Sequence, residues 1–137
     1  MKIFFDATFG EPWVMALERF FYTHKDPKPL FQHIHGFSAR GANDDEWFPE
    51  LLRREGIVIT GDRGNKKPRL PDLCKTHKKT HIILSGTLQN STQFNKARAI
   101  VVLWPEIVKV FDCPRGSRFQ MQTIDKKHEH FRLLYKG

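Results

Sequence analysis

Apolar and polar positions along the chain alternate between short buried runs and longer stretches of helical period. Lys2 to Asp6 is aromatic and β-branched and ends at an acid, the pattern of a short buried strand. Gly10, Glu11 and Pro12 form a helix start, with Pro12 tolerated in the first turn because its missing N–H has no partner there. Trp13, Ala16, Leu17, Phe20 and Phe21 then recur at helical spacing and predict one apolar face. The prolines of 26–29 exclude a helix and mark a linker. Phe31 to Phe37 predicts a second strand, followed by a loop at 38–43. Asp44, Asp45 and Glu46 open a second helix with Trp47, Phe48, Leu51 and Leu52 inward. Pro49 should lie in its first turn, which places the start near Asp45, and Gly56 is the expected stop.

Ile57-Val58-Ile59-Thr60 is a continuous β-branched run, as expected of a strand covered on both faces in a parallel sheet. It ends at Gly61-Asp62. Leu70 to Lys75 predicts a helical turn, and His81 to Leu84 another buried strand. Asn90 or Ser91 can cap a long helix with Phe94, Ala97, Ile100, Val101 and Trp104 inward. Pro105 should kink or restart it. Arg118 to Ile124 alternates and predicts a last strand at a sheet edge, and the basic tail from Asp125 onward has no clear period. Strands thus alternate with helices, which predicts an α/β fold with a mainly parallel central sheet flanked by helices.

The chain has 137 residues, of which 39% are hydrophobic, including 12 Phe and 3 Trp. That supports one domain, residues 1–137, with a core of its own. No apolar run approaches the roughly 20 residues needed to cross a bilayer. Asp6 interrupts the only apolar stretch near the N-terminus, so no signal peptide and a cytoplasmic location are expected. The two cysteines, Cys74 and Cys113, are expected as free thiols. Lys and Arg number 23 against 15 Asp and Glu, a net charge of +8 that favours a polyanionic partner. Between Arg63 and Lys79 seven Lys and Arg, with His77, face one acid, Asp72. Arg63, Lys66, Lys67 and Arg69 are therefore candidates for a phosphate-binding rim, although a charge run is most often only a solvated surface.

All strands of a parallel sheet present their carboxyl ends at one edge, where ligands bind. Asp6 follows the first strand, Asp62 follows the strand at 57–60, and Asp44 and Asp45 start a helix that must begin near the same edge. Each acid taken singly has an ordinary explanation as a cap or a turn residue. Together they repel one another unless a cation neutralises them, and oxygen ligands select Mg²⁺ or Mn²⁺.

Three stretches carrying these acids resemble a known family. Ile3-Phe4-Phe5-Asp6, Asp44-Asp45-Glu46-Trp47-Phe48-Pro49-Glu50-Leu51 and Val58-Ile59-Thr60-Gly61-Asp62-Arg63 look like the PIN-like domains of bacterial toxin–antitoxin systems, in particular a VapC-like subgroup. The resemblance covers about residues 1–65. It implies a three-layer PIN-like fold and a metal-dependent endoribonuclease using Mg²⁺ or Mn²⁺. Asp6, Asp45 and Asp62 would be its catalytic acids, with Asp44 a further metal ligand and an alternative to Asp45. It also implies RNA as substrate, a cognate antitoxin as partner and a possible homodimer. Many relatives carry another acid shortly after the third; this chain offers Asn65 there, a neutral oxygen ligand.

Three other readings compete. A non-catalytic RNA-binding module would use the basic loop 63–79 and aromatic side chains, and metal would not matter to it. A zinc site would draw on Cys74, His77 and His81, or on His33 and His35 along one strand face. A receiver-like domain would need a phosphorylatable Asp at a middle strand end and a partner Lys late in the chain, and no such pair is evident.

Overall fold

The computed structural model describes residues 1–22, 29–37, 44–61, 69–125 and 128–137; the side chains of Asp44, Asp45, residues 123–125 and 128–130, and Tyr135 lie outside that description. Six strands form one sheet: β1 (Lys2–Phe5), β2 (Leu30–His33), β3 (Ile57–Thr60), β4 (His81–Leu84), β5 (Arg118–Asp125) and β6 (His128–Tyr135). Their order is β2-β1-β3-β4-β5-β6. The first five are parallel, and β6 pairs antiparallel with β5. The helices are α1 (Glu11–Tyr22), α2 (Asp44–Arg53), α3 (Leu70–Thr76), α4 (Gly86–Gln89), α5 (Gln93–Val102) and α6 (Trp104–Val110). The fold is the expected three-layer α/β arrangement.

Successive side chains of a strand point to opposite faces, and the core divides accordingly. Ile3, Phe5, Ile57, Ile59, Ile82 and Leu84 meet α1, α5 and α6 through Val14, Leu17, Phe21, Ile100, Trp104 and Ile107. Phe4 and Val58 meet α2 and α3 through Trp47, Phe48, Leu51, Leu70 and Cys74. Phe5 packs edge-on against Phe9 and Phe31, with ring centroids 4.9 and 5.3 Å away. Full burial of such a ring contributes roughly 1.5–3 kcal/mol. Phe5 directly precedes Asp6, so this packing fixes where the acid emerges.

Several local expectations shift. The apolar face of α1 is Val14, Leu17 and Phe21, whereas Ala16 is exposed and Phe20 is 61% exposed. Apolar residues occur around most of this helix, so spacing alone left two stripes to choose from. β2 stops at His33 and continues as a 3₁₀ turn, Ile34–Gly36, rather than reaching Phe37. Pro49 lies in the second turn of α2, not the first. The only intrahelical bond its nitrogen forgoes is to the carbonyl of Asp45, close to the helix start, so the helix persists. α5 begins after Thr92, whose hydroxyl accepts from the Asn95 N–H. Its buried stripe is Lys96, Ala97, Ala99 and Ile100, and Phe94 is left 63% exposed, its ring centroid 6.4 Å from that of Trp13. Pro105 restarts the helix as α6, as expected. β5 is interior to the sheet, because the tail forms the edge strand β6.

Gly56 ends no helix but leads into β3. Its φ of +133° is a conformation L side chains rarely adopt, and a Cβ there would meet the Lys2 carbonyl oxygen at 2.5 Å. Gly56→Ala should therefore cost at least roughly 1–3 kcal/mol from backbone strain, before the clash is added. Urea unfolding of the two proteins measures this, and equal midpoints would contradict it.

Candidate functional site

In the strand order β2-β1-β3, the chain moves outward from β1 to β2 and then returns to the other side of β1. This reversal opens a crevice beyond the carboxyl ends of β1 and β3, the position where open α/β sheets bind ligands. Asp6 lies there. It is 4% exposed, and donors from Thr8 and Thr60 hold it. The Thr8 N–H (3.0 Å) and the Thr8 hydroxyl donate to Oδ1, and the Thr60 hydroxyl donates to Oδ2. Thr8 Oγ1 in turn accepts from the Gly61 N–H at 3.2 Å. One small network thus ties the end of β1 to the end of β3 across the crevice.

The start of α5 closes this network from one side. Gln93 Nε2 donates to the Thr8 carbonyl at 3.0 Å, and Gln93 Oε1 accepts from the Gly10 N–H at 3.1 Å. Lys96 Nζ also donates to the Thr8 carbonyl, at 3.3 Å. Lys96 is 5% exposed. Burial lowers its pKa, and the Asp6 carboxylate opposes that shift. A buried cation and a buried carboxylate therefore face the same loop. Gln89 completes the rim. A side chain at Gly61 would overlap the Gln89 amide, and Gln89 Oε1 is buried with no hydrogen-bond partner among the described residues.

At the end of β2, His33 is buried and its Nε2 lies 2.8 Å from the Phe9 carbonyl. Its Nδ1 accepts from the His35 N–H at 3.1 Å, which places the ring proton on Nε2. Burial lowers the His33 pKa most. The Phe9 hydrogen bond opposes the shift, the charge of His35 adds to it, and the carboxylates of Glu11 and Asp6 oppose it. His35 Nδ1 pairs with Glu11 Oε1 at 2.8 Å.

Of the acids expected from the sequence, Asp6 stands in the crevice. Asp44 and Asp45 form the first turn of α2, a crossover helix that leads into β3, so its N-terminus lies at the same carboxyl edge. Asp62 follows Gly61 in the chain but lies outside the described residues, as do Arg63, Lys66 and Lys67. Arg69 sits at the N-cap of α3, with Nε 3.1 Å from Asp72 Oδ2. The basic run does not form one rim. α3 carries the chain back toward the amino ends of the strands, where buried Lys79 donates to the Arg54 carbonyl just past α2. Lys78 and Lys79, directly before β4, therefore lie at the amino edge, away from the crevice.

Cys74, His77 and His81 do not gather as a zinc site. Cys74 belongs to the core beside α2, His77 is exposed, and His81 is fully buried with Nδ1 bonded to the Lys79 carbonyl at 2.9 Å. Neither Cys74 nor Cys113 is in a disulfide. A cavity of about 480 Å³ opens at the opposite, amino edge of the sheet, lined by Arg53, Arg54, Lys79 and Arg115 among others. It contains none of the crevice residues. The carboxyl edge is the better candidate, because strand reversal and the buried polar network coincide there. None of the described helices is long and apolar enough to cross a membrane. Compared with protein-family models, curated proteins and solved structures, the chain matches none of them.

Proposed function

We propose that the chain is a Mg²⁺- or Mn²⁺-dependent endoribonuclease that hydrolyses RNA phosphodiesters in the crevice between β1 and β3. The observation that carries this reading is Asp6, a buried carboxylate held by Thr8 and Thr60 at the strand reversal, with Lys96 beside it. The donors fit a hard cation. They are the Asp6 carboxylate and the Gln89 oxygen, which has no hydrogen-bond partner among the described residues, with Asp44 and Asp45 at the same edge and Asp62 next after Gly61. When bound, the cation would polarise a phosphoryl oxygen and lower the pKa of a bound water. Thr8 and Thr60 keep the Asp6 carboxylate in one orientation. Lys96 supplies a desolvated positive charge for a non-bridging phosphate oxygen, and the net charge of +8 favours a polyanion. The motif resemblance alone supports a toxin's role, a cognate antitoxin and a homodimer, and the proposed cytoplasmic location rests on the polar interruption of the N-terminal apolar stretch at Asp6.

The test is cleavage of mixed RNAs with Mn²⁺ and with EDTA. Cleavage with Mn²⁺ alone supports the reading, and binding without cleavage in either supports the RNA-binding module. Lys96→Met should reduce kcat/KM on the order of a hundredfold, as losing a preorganised charge donor does, with Lys96→Arg recovering part of it. Unchanged kinetics in Lys96→Met would remove Lys96 from the site.

One observation favours a second reading. The order 2-1-3-4-5 of the parallel strands, with Lys96 near Asp6, also suits a phosphoacceptor domain. That reading predicts a hydroxylamine-labile acyl phosphate on Asp62 after incubation with acetyl phosphate, and the nuclease reading predicts none.

A further inference from the structure

Glu11, His33 and His35 come from three different elements: the first turn of α1, the last residue of β2 and the 3₁₀ turn after it. Each offers a ligand atom, and these atoms all lie within 4.8 Å of one another. The imidazole rings of His33 and His35 are 4.5 Å apart, and Glu11 already contacts His35 Nδ1. We propose that these three residues bind one Zn²⁺ per chain, at a site separate from the acidic crevice and independent of the nuclease reading.

The donor set decides the metal. Two imidazoles and one carboxylate suit Zn²⁺, whereas Mg²⁺ and Ca²⁺ prefer oxygen throughout. Three protein ligands leave a fourth tetrahedral position for water. Ligand bonds of about 2.0–2.2 Å put neighbouring donors roughly 3.3–3.5 Å apart, so Glu11 Oε1 and His35 Nδ1, now 2.8 Å apart, must separate slightly, and no pair of these ligand atoms, all within 4.8 Å, has to close by more than about 1.5 Å. Glu11 can supply much of that movement, since its side chain is 35% exposed.

The hydrogen bonds indicate which nitrogen of His33 binds. Its Nε2–H donates to the Phe9 carbonyl, and its Nδ1 lone pair is taken by the His35 N–H. Coordination through Nδ1 keeps the Nε2–H···O=C bond, the backbone contact that commonly orients a metal-bound imidazole. At His33 this gives up the bond from the His35 amide. At His35, the cation replaces the proton shared between Nδ1 and Glu11. The ion would clasp the β1–α1 loop, which carries Thr8 and Phe9, to the end of β2.

The test uses the full chain, stripped of metal by chelation and titrated with Co²⁺. The expected result is one Co²⁺ per chain with visible bands of tetrahedral intensity, displaced by stoichiometric Zn²⁺ but not by millimolar Mg²⁺. Glu11→Gln and His35→Ala should each weaken binding more than about tenfold, with far-UV circular dichroism unchanged. Asp6→Asn should leave it intact. Absence of binding in the wild type would overturn the proposal. So would binding that survives Glu11→Gln and His35→Ala, or that is lost in Asp6→Asn, because the ion would then sit in the crevice.

Discussion

Asp6→Asn is expected to keep the fold and lose the response to Mn²⁺. The asparagine keeps Oδ1 as acceptor for Thr8, and its amide can donate to Thr60 Oγ1, whose hydroxyl rotates to suit. The cost should be about 1 kcal/mol, that of one altered hydrogen bond. The charge is what disappears. A cation that binds only the folded chain at a hundred times its Kd stabilises it by about 2.7 kcal/mol. Removing a direct ligand should weaken affinity by more than about a hundredfold, beyond the effect of losing an outer hydrogen bond, so most of that stabilisation should vanish. Differential scanning calorimetry with and without Mn²⁺ measures it. Asp6→Ala serves as contrast. It removes the acceptor oxygens of Thr8 and Thr60 as well as the charge that both variants lose, at about 1–3 kcal/mol. An equal Mn²⁺ shift in wild type and Asp6→Asn would place the ion elsewhere.

The second large effect is acid destabilisation through His81. This ring is fully buried on β4, its Nδ1–H donates to the Lys79 carbonyl, and its Nε2 has no hydrogen-bond partner among the described residues. Burial pushes its pKa from 6.5 down to about 4, with the Lys79 hydrogen bond opposing the shift and the charge of Arg118 adding to it. The folded chain therefore holds His81 neutral where the unfolded chain protonates it. Between pH 6.5 and 4 the unfolded state binds more protons, so stability falls as the pH falls through this window. At 1.36 kcal/mol per unit, the loss reaches roughly 3 kcal/mol at pH 4. His33, whose pKa is also lowered, adds a slope of the same sign. The difference between wild type and His81→Leu isolates His81, because only the wild type should carry its share of the slope. Parallel stability curves for the two proteins from pH 7 to 4 would contradict a buried neutral His81.

What could be read in advance depended on how each residue signals its place. β3 and β4 appear at the expected residues, because continuous β-branched runs covered on both faces admit few other positions. Asp6 was legible for the same reason, as an acid directly following such a run. Lys96 was not. It is the first residue of the buried stripe of α5, ahead of Ala97, Ala99 and Ile100, and a long polar side chain there is easily taken for a surface residue. Phe94 was correspondingly placed inward when it faces out. Thr8, Thr60, Gln89 and Gln93 carry no spacing signature; only the approach of the α5 start to the β1–α1 loop reveals them. The edge strand β6 was hidden by a tail of mixed charge that pairs along one side only. His33 and His35 were noted as a pair, but their third partner, Glu11, is 22 residues upstream of His33 in another element and is joined to them by folding alone.

The central claim is that the carboxylates at the β1–β3 crevice cut RNA with a divalent cation. The most direct measurement is the rate at which the purified full chain cleaves RNA in Mn²⁺, compared with EDTA and with Asp6→Asn and Asp62→Asn in Mn²⁺. Cleavage by wild type in Mn²⁺ is predicted, with none in EDTA and a loss of at least about a hundredfold in either variant. The variants should still bind RNA, since removing a negative charge from a phosphate site lessens repulsion. Wild type that leaves RNA intact in Mn²⁺ and in Mg²⁺ at high enzyme excess, or that cuts equally well in EDTA or as Asp6→Asn, would contradict the account.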